Sequence, residues 1–163
     1  MDAHRLPRST VVRLVRAVEA GAALPEDGER DGQLAALHDH WSRQLLSRID
    51  VALELGADSP AASVAVAWRS ALRDQPAVHA LLEAAADEPA LRAARRTLHA
   101  SVAVAAGLST FDDPVVHSAT IGERFLASVV AEPGAARRTS RLARLLRRLW
   151  DGGPAPDPFP WAA

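Results

Sequence analysis

The sequence predicts an all-α protein, with about six core helices packed as a helical bundle or an orthogonal array. Apolar residues recur at the three-and-four spacing of a helix face along most of the chain. Pro residues that follow an acidic or hydroxyl residue precede these apolar runs, as they do at helix starts. Gly residues follow several runs, where a left-handed residue commonly closes a helix. Together these three observations favour helices throughout the core.

Four helix starts and three helix ends are marked in this way. The starts are predicted at Ser59-Pro60, Asp74-Gln75-Pro76, Asp87-Glu88-Pro89 and Asp113-Pro114, and the ends at Gly21, Gly56 and Gly107. Paired carboxylates at Asp112 and Asp113 are therefore interpreted as a helix cap and not as catalytic acids.

The apolar periodicity predicts helices over residues 9–20, 31–55, 60–73, 76–86, 89–106 and 114–131. Trp41 and Trp68 fall on inward faces and are predicted to lie in the core. Residues 63–68 also alternate as a half-buried strand would, but their Ala content favours a helix. Gly122, in the middle of the last run, indicates a kink or a close helix crossing.

The chain divides by charge into three parts: an all-α core domain over residues 1–134, a basic amphipathic helix over 135–150, and an extended tail rich in Pro and aromatic residues over 151–163. Residues 1–134 carry 13 Arg and 18 acidic residues, whereas residues 135–150 carry six Arg and no acidic residue. We call 135–150 the basic segment and 151–163 the aromatic tail.

The basic segment is predicted to present two stripes on one helix. The Leu stripe comprises Leu142, Leu145, Leu146 and Leu149, and the Arg stripe comprises Arg137, Arg141, Arg144 and Arg148. One interpretation is that the Leu stripe packs on the core while the Arg stripe is solvated or pairs with core acids. The others are contact with an acidic protein partner or a second copy, and contact with nucleic acid or an anionic membrane surface.

Phe159 and Trp161 of the aromatic tail suit a groove on a partner, since neighbouring Pro residues hold the chain extended. The alternative is that both side chains fold back over an apolar patch of their own domain or of a twin subunit.

His38, His79, His99 and His117 fall on four predicted helices, a distribution similar to that of hemerythrin-like di-iron bundles. The helical phase argues against this site, because His79 is placed opposite its helix's apolar residues and His117 on a polar face. His38 and His99 remain weak metal-ligand candidates. No cofactor is expected.

Catalytic motifs are sparse in this sequence. Cys and Lys are absent, which excludes thiolate nucleophiles, disulfides and Schiff-base chemistry. There is no Gly-x-Ser-x-Gly elbow and no Gly-rich phosphate loop. The 35 Ala residues and the all-Arg basic set are typical of GC-rich coding. An enzyme is disfavoured.

The sequence therefore predicts a small soluble protein that acts by binding, as a homodimer or in a larger assembly, through its basic segment and aromatic tail. No apolar run is long enough to span a bilayer and no export signal is visible, so a cytoplasmic location is expected. One alternative is a metal- or small-ligand-binding protein with His38 facing an interior pocket. Another is a nucleic-acid-associated accessory factor.

Overall fold

The computed structural model describes residues 6–24, 29–56 and 59–131, and within them it shows six α-helices and no strand. The helices are α1 (Arg8–Glu19), α2 (Arg30–Glu54), α3 (Pro60–Asp74), α4 (Pro76–Ala84), α5 (Pro89–Ala105) and α6 (Val115–Ala131). The predicted all-α class is confirmed, and residues 63–68 are helical. The basic segment and the aromatic tail lie outside the described residues.

The predicted glycine helix ends are confirmed, since Gly21, Gly56 and Gly107 all have positive φ. At Gly107 (φ 70°) the backbone N–H of Leu108 donates to Ala103 O at 2.9 Å, and that of Gly107 donates to Val104 O at 2.9 Å. This is the Schellman pattern, which satisfies carbonyl groups left over at a helix end. It turns the chain sharply from α5 into the loop that leads to α6.

Only one of the four predicted capping side chains is seen to cap its helix. Ser59 Oγ accepts from the Ala62 backbone N–H at 3.2 Å. Helices α4 and α5 have no cap from their own preceding side chain. Instead, the Val78 N–H in the first turn of α4 donates to Glu19 Oε1 of α1 at 2.8 Å, so a tertiary contact replaces the local cap.

The acids that precede α4 and α5 form ion pairs instead. Asp74 Oδ2 lies 2.6 Å from Nη1 of Arg48, a side chain only 3% exposed that also donates to Ser70 Oγ at 3.2 Å. Glu88 Oε1 lies 3.0 Å from Nη2 of Arg30. These pairs join α2 to the end of α3 and to the start of α5, where the sequence alone predicted caps.

Helix α2 is the centre of the fold, because it packs against α1, α3, α4 and α5. Its buried face follows the predicted spacing and comprises Leu34, Leu37, Trp41, Leu45, Ile49 and Ala52. Trp41 and Trp68 are buried as predicted, and their rings meet edge to face with centroids 6.0 Å apart.

Helix α6 packs mainly on α5 and more lightly on α3. The α5–α6 loop lies beside the start of α3, since a Cβ built on Gly107 would come 4.0 Å from Pro60 Cβ. The other end of α6 reaches the later part of α3, where Arg69 Nη2 donates to Val129 O at 3.2 Å. Helix α6 therefore carries the chain about 25 Å away from the α5–α6 loop, at 1.5 Å per residue.

Gly122 marks a close helix crossing, one of the two possibilities its position predicted. A Cβ at this site would lie 1.9 Å from the His99 carbonyl oxygen and 2.7 Å from the His99 carbonyl carbon. Both atoms belong to the backbone of α5, which cannot move aside as a side chain would. Only glycine at this position permits the observed approach of α6 to α5.

We expect Gly122→Ala to lower the free energy of unfolding by about 3 kcal/mol, because the two helices must separate to admit the methyl group. Gly32→Ala is the matched control, since a Cβ on Gly32 in α2 meets nothing within 4 Å. It should be neutral or stabilising by up to about 1 kcal/mol, the helix-propensity difference. Urea unfolding followed by circular dichroism measures both, and equal stability of the two variants would contradict the crossing.

Candidate functional site

The loop between α5 and α6 exposes a group of large apolar side chains, which we call the hairpin tip. They lie between positions 108 and 116 and are Leu108 (44% exposed), Phe111 (93%), Val115 (57%) and Val116 (64%). Single exposed apolar residues are ordinary, but several close together on a small protein typically mark an interaction surface.

Asp113 fixes the conformation of this loop. Its Oδ2 accepts from the Thr110 backbone N–H at 2.7 Å, from Ser109 Oγ at 2.9 Å and from Thr110 Oγ1 at 3.2 Å. These bonds, led by the one from the backbone, hold the pKa of the Asp113 carboxyl below its usual range. Ser109 Oγ is also 2.6 Å from Ser118 Oγ of α6. Phe111 is thus presented by a braced loop, which lowers the entropy lost on binding.

The interpretation of Asp113 as the cap of α6 was wrong. Its carboxylate turns back onto the preceding residues 109 and 110. The first turn of α6 is instead closed by the Pro114 carbonyl, which accepts from the N–H groups of His117 and Ser118 at 2.9 and 3.1 Å. A helix start was correctly placed, but the short side chain found nearer partners in its own turn.

Among the described residues, no Arg comes from the segments that form the end of the molecule with the hairpin tip. The tip lies beside the start of α3, which a short connection joins to the end of α2. Residues 49–68 and 97–123 contain no Arg and no Lys. At this end the same ranges contribute the exposed acids Asp50, Glu54 and Asp112, whereas Glu123 lies about two turns along α6, next to Arg124. The hairpin tip is therefore an apolar surface in an acidic neighbourhood.

The outer face of α6 continues from the hairpin tip. Its exposed side chains recur at alternating four- and three-residue spacing, and they are Val116, Thr120, Glu123, Ala127 and Val130. Val116 and Val130, at the two ends of this row, are 64% and 61% exposed. Arg124 is exposed beside Glu123 at its middle. We call this row the α6 outer face.

A second notable group lies inside the fold, where His79 packs against both core tryptophans. Its ring centroid is 5.4 Å from that of Trp41 and 5.4 Å from that of Trp68. The sequence placed His79 away from the apolar face of α4, and this was wrong. Helix α4 packs against α1, α2 and α3, so the side of the helix that carries His79 is covered as well as its apolar face.

His38 is the most strongly perturbed histidine of this interior group. It lies on the apolar face of α2 as predicted, 5% exposed, with Nδ1 3.4 Å from Ser42 Oγ. Burial, together with the positive charge of Arg95 and the nearby His99, lowers the pKa of His38 to about 4, against a smaller opposing effect of Asp39. The imidazole is therefore neutral at pH 7.

Burial likewise lowers the pKa values of His79 and His99. Arg95 Nη1 pairs with Glu83 Oε1 at 2.7 Å at the edge of this group. Within the described residues, Nε2 of His38, Nε2 of His79 and Nε1 of Trp68 are buried without a hydrogen-bond partner. Desolvation of these polar atoms costs stability and makes the interior sensitive to acid.

His38 and His99, the weak metal candidates, lie near each other, because the charge of His99 acts on His38 and the charge of Arg95 acts on both histidines. Among the described residues, however, no three His, Cys, Asp or Glu side chains are grouped as a metal ion requires. His117 is exposed, as predicted.

The predicted partner-binding residues stay predictions. Arg137, Arg141, Leu142, Arg144, Leu145, Arg148, Leu149, Phe159 and Trp161 all lie outside the described residues. Sequence reasoning missed the hairpin tip, although Phe111 stood out as a large aromatic residue between two predicted helices and next to two acids.

The low pKa of His38 predicts that the free energy of unfolding depends on pH. The pKa of His38 falls from its ordinary value of 6.5 to about 4 in the fold, so the unfolded chain binds more protons between these values. Stability is then complete above pH 6.5 and falls by up to about 3 kcal/mol as the pH drops to 4. His38→Gln, which cannot be protonated, should remove most of this loss in urea unfolding measured across the pH range.

The exposed His117→Gln serves as its control and should leave the pH profile unchanged. An equal loss of stability in the His38→Gln variant and the unaltered protein would contradict the assignment.

Comparison with known proteins gives no relatives for this chain. No family model matches it, and neither a curated protein nor a solved structure matches significantly. Within the described residues, no helix is long and apolar enough to cross a membrane. Function must therefore be inferred from the side chains that this chain presents.

Proposed function

We propose that the protein acts by binding protein, and that it associates with itself through the basic segment 135–150 and the aromatic tail. The observation that carries this proposal is the braced, exposed hairpin tip. Phe111 is held almost fully in water by a loop with several internal hydrogen bonds. Large rigid aromatic side chains are typical anchors of protein interfaces.

The distribution of charge supports self-association over a different partner. The basic segment has six Arg and no acidic residue, while the described segments around the hairpin tip contribute Asp50, Glu54 and Asp112 and no Arg. One chain thus carries a basic sequence segment rich in Leu and, on its described part, an apolar tip with acids beside it. Opposite potentials favour encounter and fix the register of an interface.

In this proposal the residues have distinct roles. Arg137, Arg141, Arg144 and Arg148 supply charge complementarity, and Leu142, Leu145 and Leu149 are buried on association. Phe159 and Trp161 add apolar contact area from the tail. The mode is that of an amphipathic helix laid on an apolar surface with an acidic rim.

A charge-reversal variant tests the proposal in the full-length chain. Arg141→Glu, Arg144→Glu and Arg148→Glu together should weaken association roughly 100-fold, from about 0.5 kcal/mol for each of the six charges reversed in a dimer. Sedimentation equilibrium at several protein concentrations measures the association constant.

The matched control reverses three exposed Arg residues of α1 and α2, by Arg13→Glu, Arg16→Glu and Arg43→Glu. Neither α1 nor α2 carries the hairpin tip or the α6 outer face, so this control should weaken association far less than the basic-segment triple variant. A full-length protein that is monomeric at all concentrations would overturn the proposal. Salt-sensitive nucleic-acid binding that disappears in the basic-segment variant would overturn it in favour of the accessory-factor alternative.

A further inference from the structure

On the α6 outer face, positions equally far from the middle of the helix carry similar residues. Reading from either end, a valine comes first, a small residue follows, and charged residues occupy the middle: Val116 and Val130, Thr120 and Ala127, then Glu123 and Arg124. All six side chains are exposed. A face of this kind is complementary to a second copy that runs in the opposite direction.

Antiparallel pairing about a two-fold axis near positions 123 and 124 makes these matches specific. Val116 of one copy then meets Val130 of the other, and each Glu123 lies beside the Arg124 of its partner. A two-fold axis makes every such contact twice, as in most homodimers. The exposed valines are buried and the central charges are paired.

This pairing also shortens the distance between the start of the basic segment and a hairpin tip. Helix α6 ends about 25 Å from its own hairpin tip, at Ala131. In an antiparallel pair, the end of one α6 lies beside the hairpin tip of the other copy. The basic segment, which starts four residues after Ala131, then begins next to an acidic apolar surface instead of having to return along its own helix.

We propose that the α6 outer face and the hairpin tip form the docking surface for a second copy of this chain, antiparallel to the first. The inference rests on the proposed self-association and identifies the surface that receives it. The occupant is a second copy because the charged middle and the valine ends of the α6 outer face complement the same face of an antiparallel copy.

Disulfide cross-linking tests the geometry directly, because the chain has no natural cysteine. Val116→Cys and Val130→Cys are made as separate full-length variants. When the two are mixed and oxidised, an intermolecular disulfide should form between them, whereas each variant alone should cross-link at least roughly tenfold less, since its two copies lie at opposite ends of the pair. Ala80→Cys, exposed on α4, which packs on α1, α2 and α3, is the matched control and should not cross-link to either.

A charge swap tests the same register without a covalent bond. Arg124→Glu alone should weaken association at least about tenfold, because it places like charges opposite each other at both copies of the contact. Adding Glu123→Arg to the same chain should restore association to within about threefold of the unaltered protein.

Asp112→Arg should also weaken association at the hairpin tip, whereas Asp31→Arg, an exposed acid in the first turn of α2, should not. Association that persists in the Arg124→Glu and Asp112→Arg variants, with no cross-link in the mixture, would overturn this inference while leaving the proposed function intact. Absence of association in the unaltered protein would overturn both. Preferential cross-linking of Val116→Cys with itself would indicate a parallel pair and also overturn the inference.

Discussion

Burial of one face of α2 is the interaction on which the rest of the structure depends. Leu34, Leu37, Leu45 and Ile49 are almost completely removed from water, and four helices pack around them. At about 25 cal/mol per Å² of apolar surface, such a face supplies the main favourable term of folding. The edge-to-face contact of Trp41 with Trp68 extends it into α3. The positions of α4 and α5, and through α5 that of α6, follow from this packing.

The close crossing of α5 and α6 connects this core to the surface proposed to act. Because Gly122 lets α6 lie directly on the backbone of α5, the buried side of α6 is narrow and its outer face is left with little cover. The loop that joins the two helices must then turn tightly, with Gly107 and Asp113 closing it. Packing inside the molecule thus places Phe111 and the exposed valines at one end and along one side. The α5–α6 loop and the nearby end of α2 also carry exposed acids, which complement a basic partner surface.

Sequence periodicity predicted all six helices, because three-and-four spacing and Pro-Gly punctuation are local signals. It failed where a side chain bonds to a partner other than the predicted one: Asp74 pairs with the distant Arg48, Glu19 caps α4, and Asp113 bonds to residues of its own turn. It failed at His79 because a helical wheel has one inward face, whereas α4 is covered from more than one direction. The exposure of the hairpin tip depends on how α5 and α6 are placed in space, which no local pattern contains.

We propose that the chain functions by pairing with itself. A native mass spectrum of the purified full-length protein gives the number of subunits and therefore tests this proposal. We expect a species at twice the 17.3 kDa chain mass, with no added mass. Its proportion should fall as salt is raised, since charges contribute to the contact. A bare monomer at every concentration would contradict the claim, and a monomer with added mass would point to a bound ligand instead.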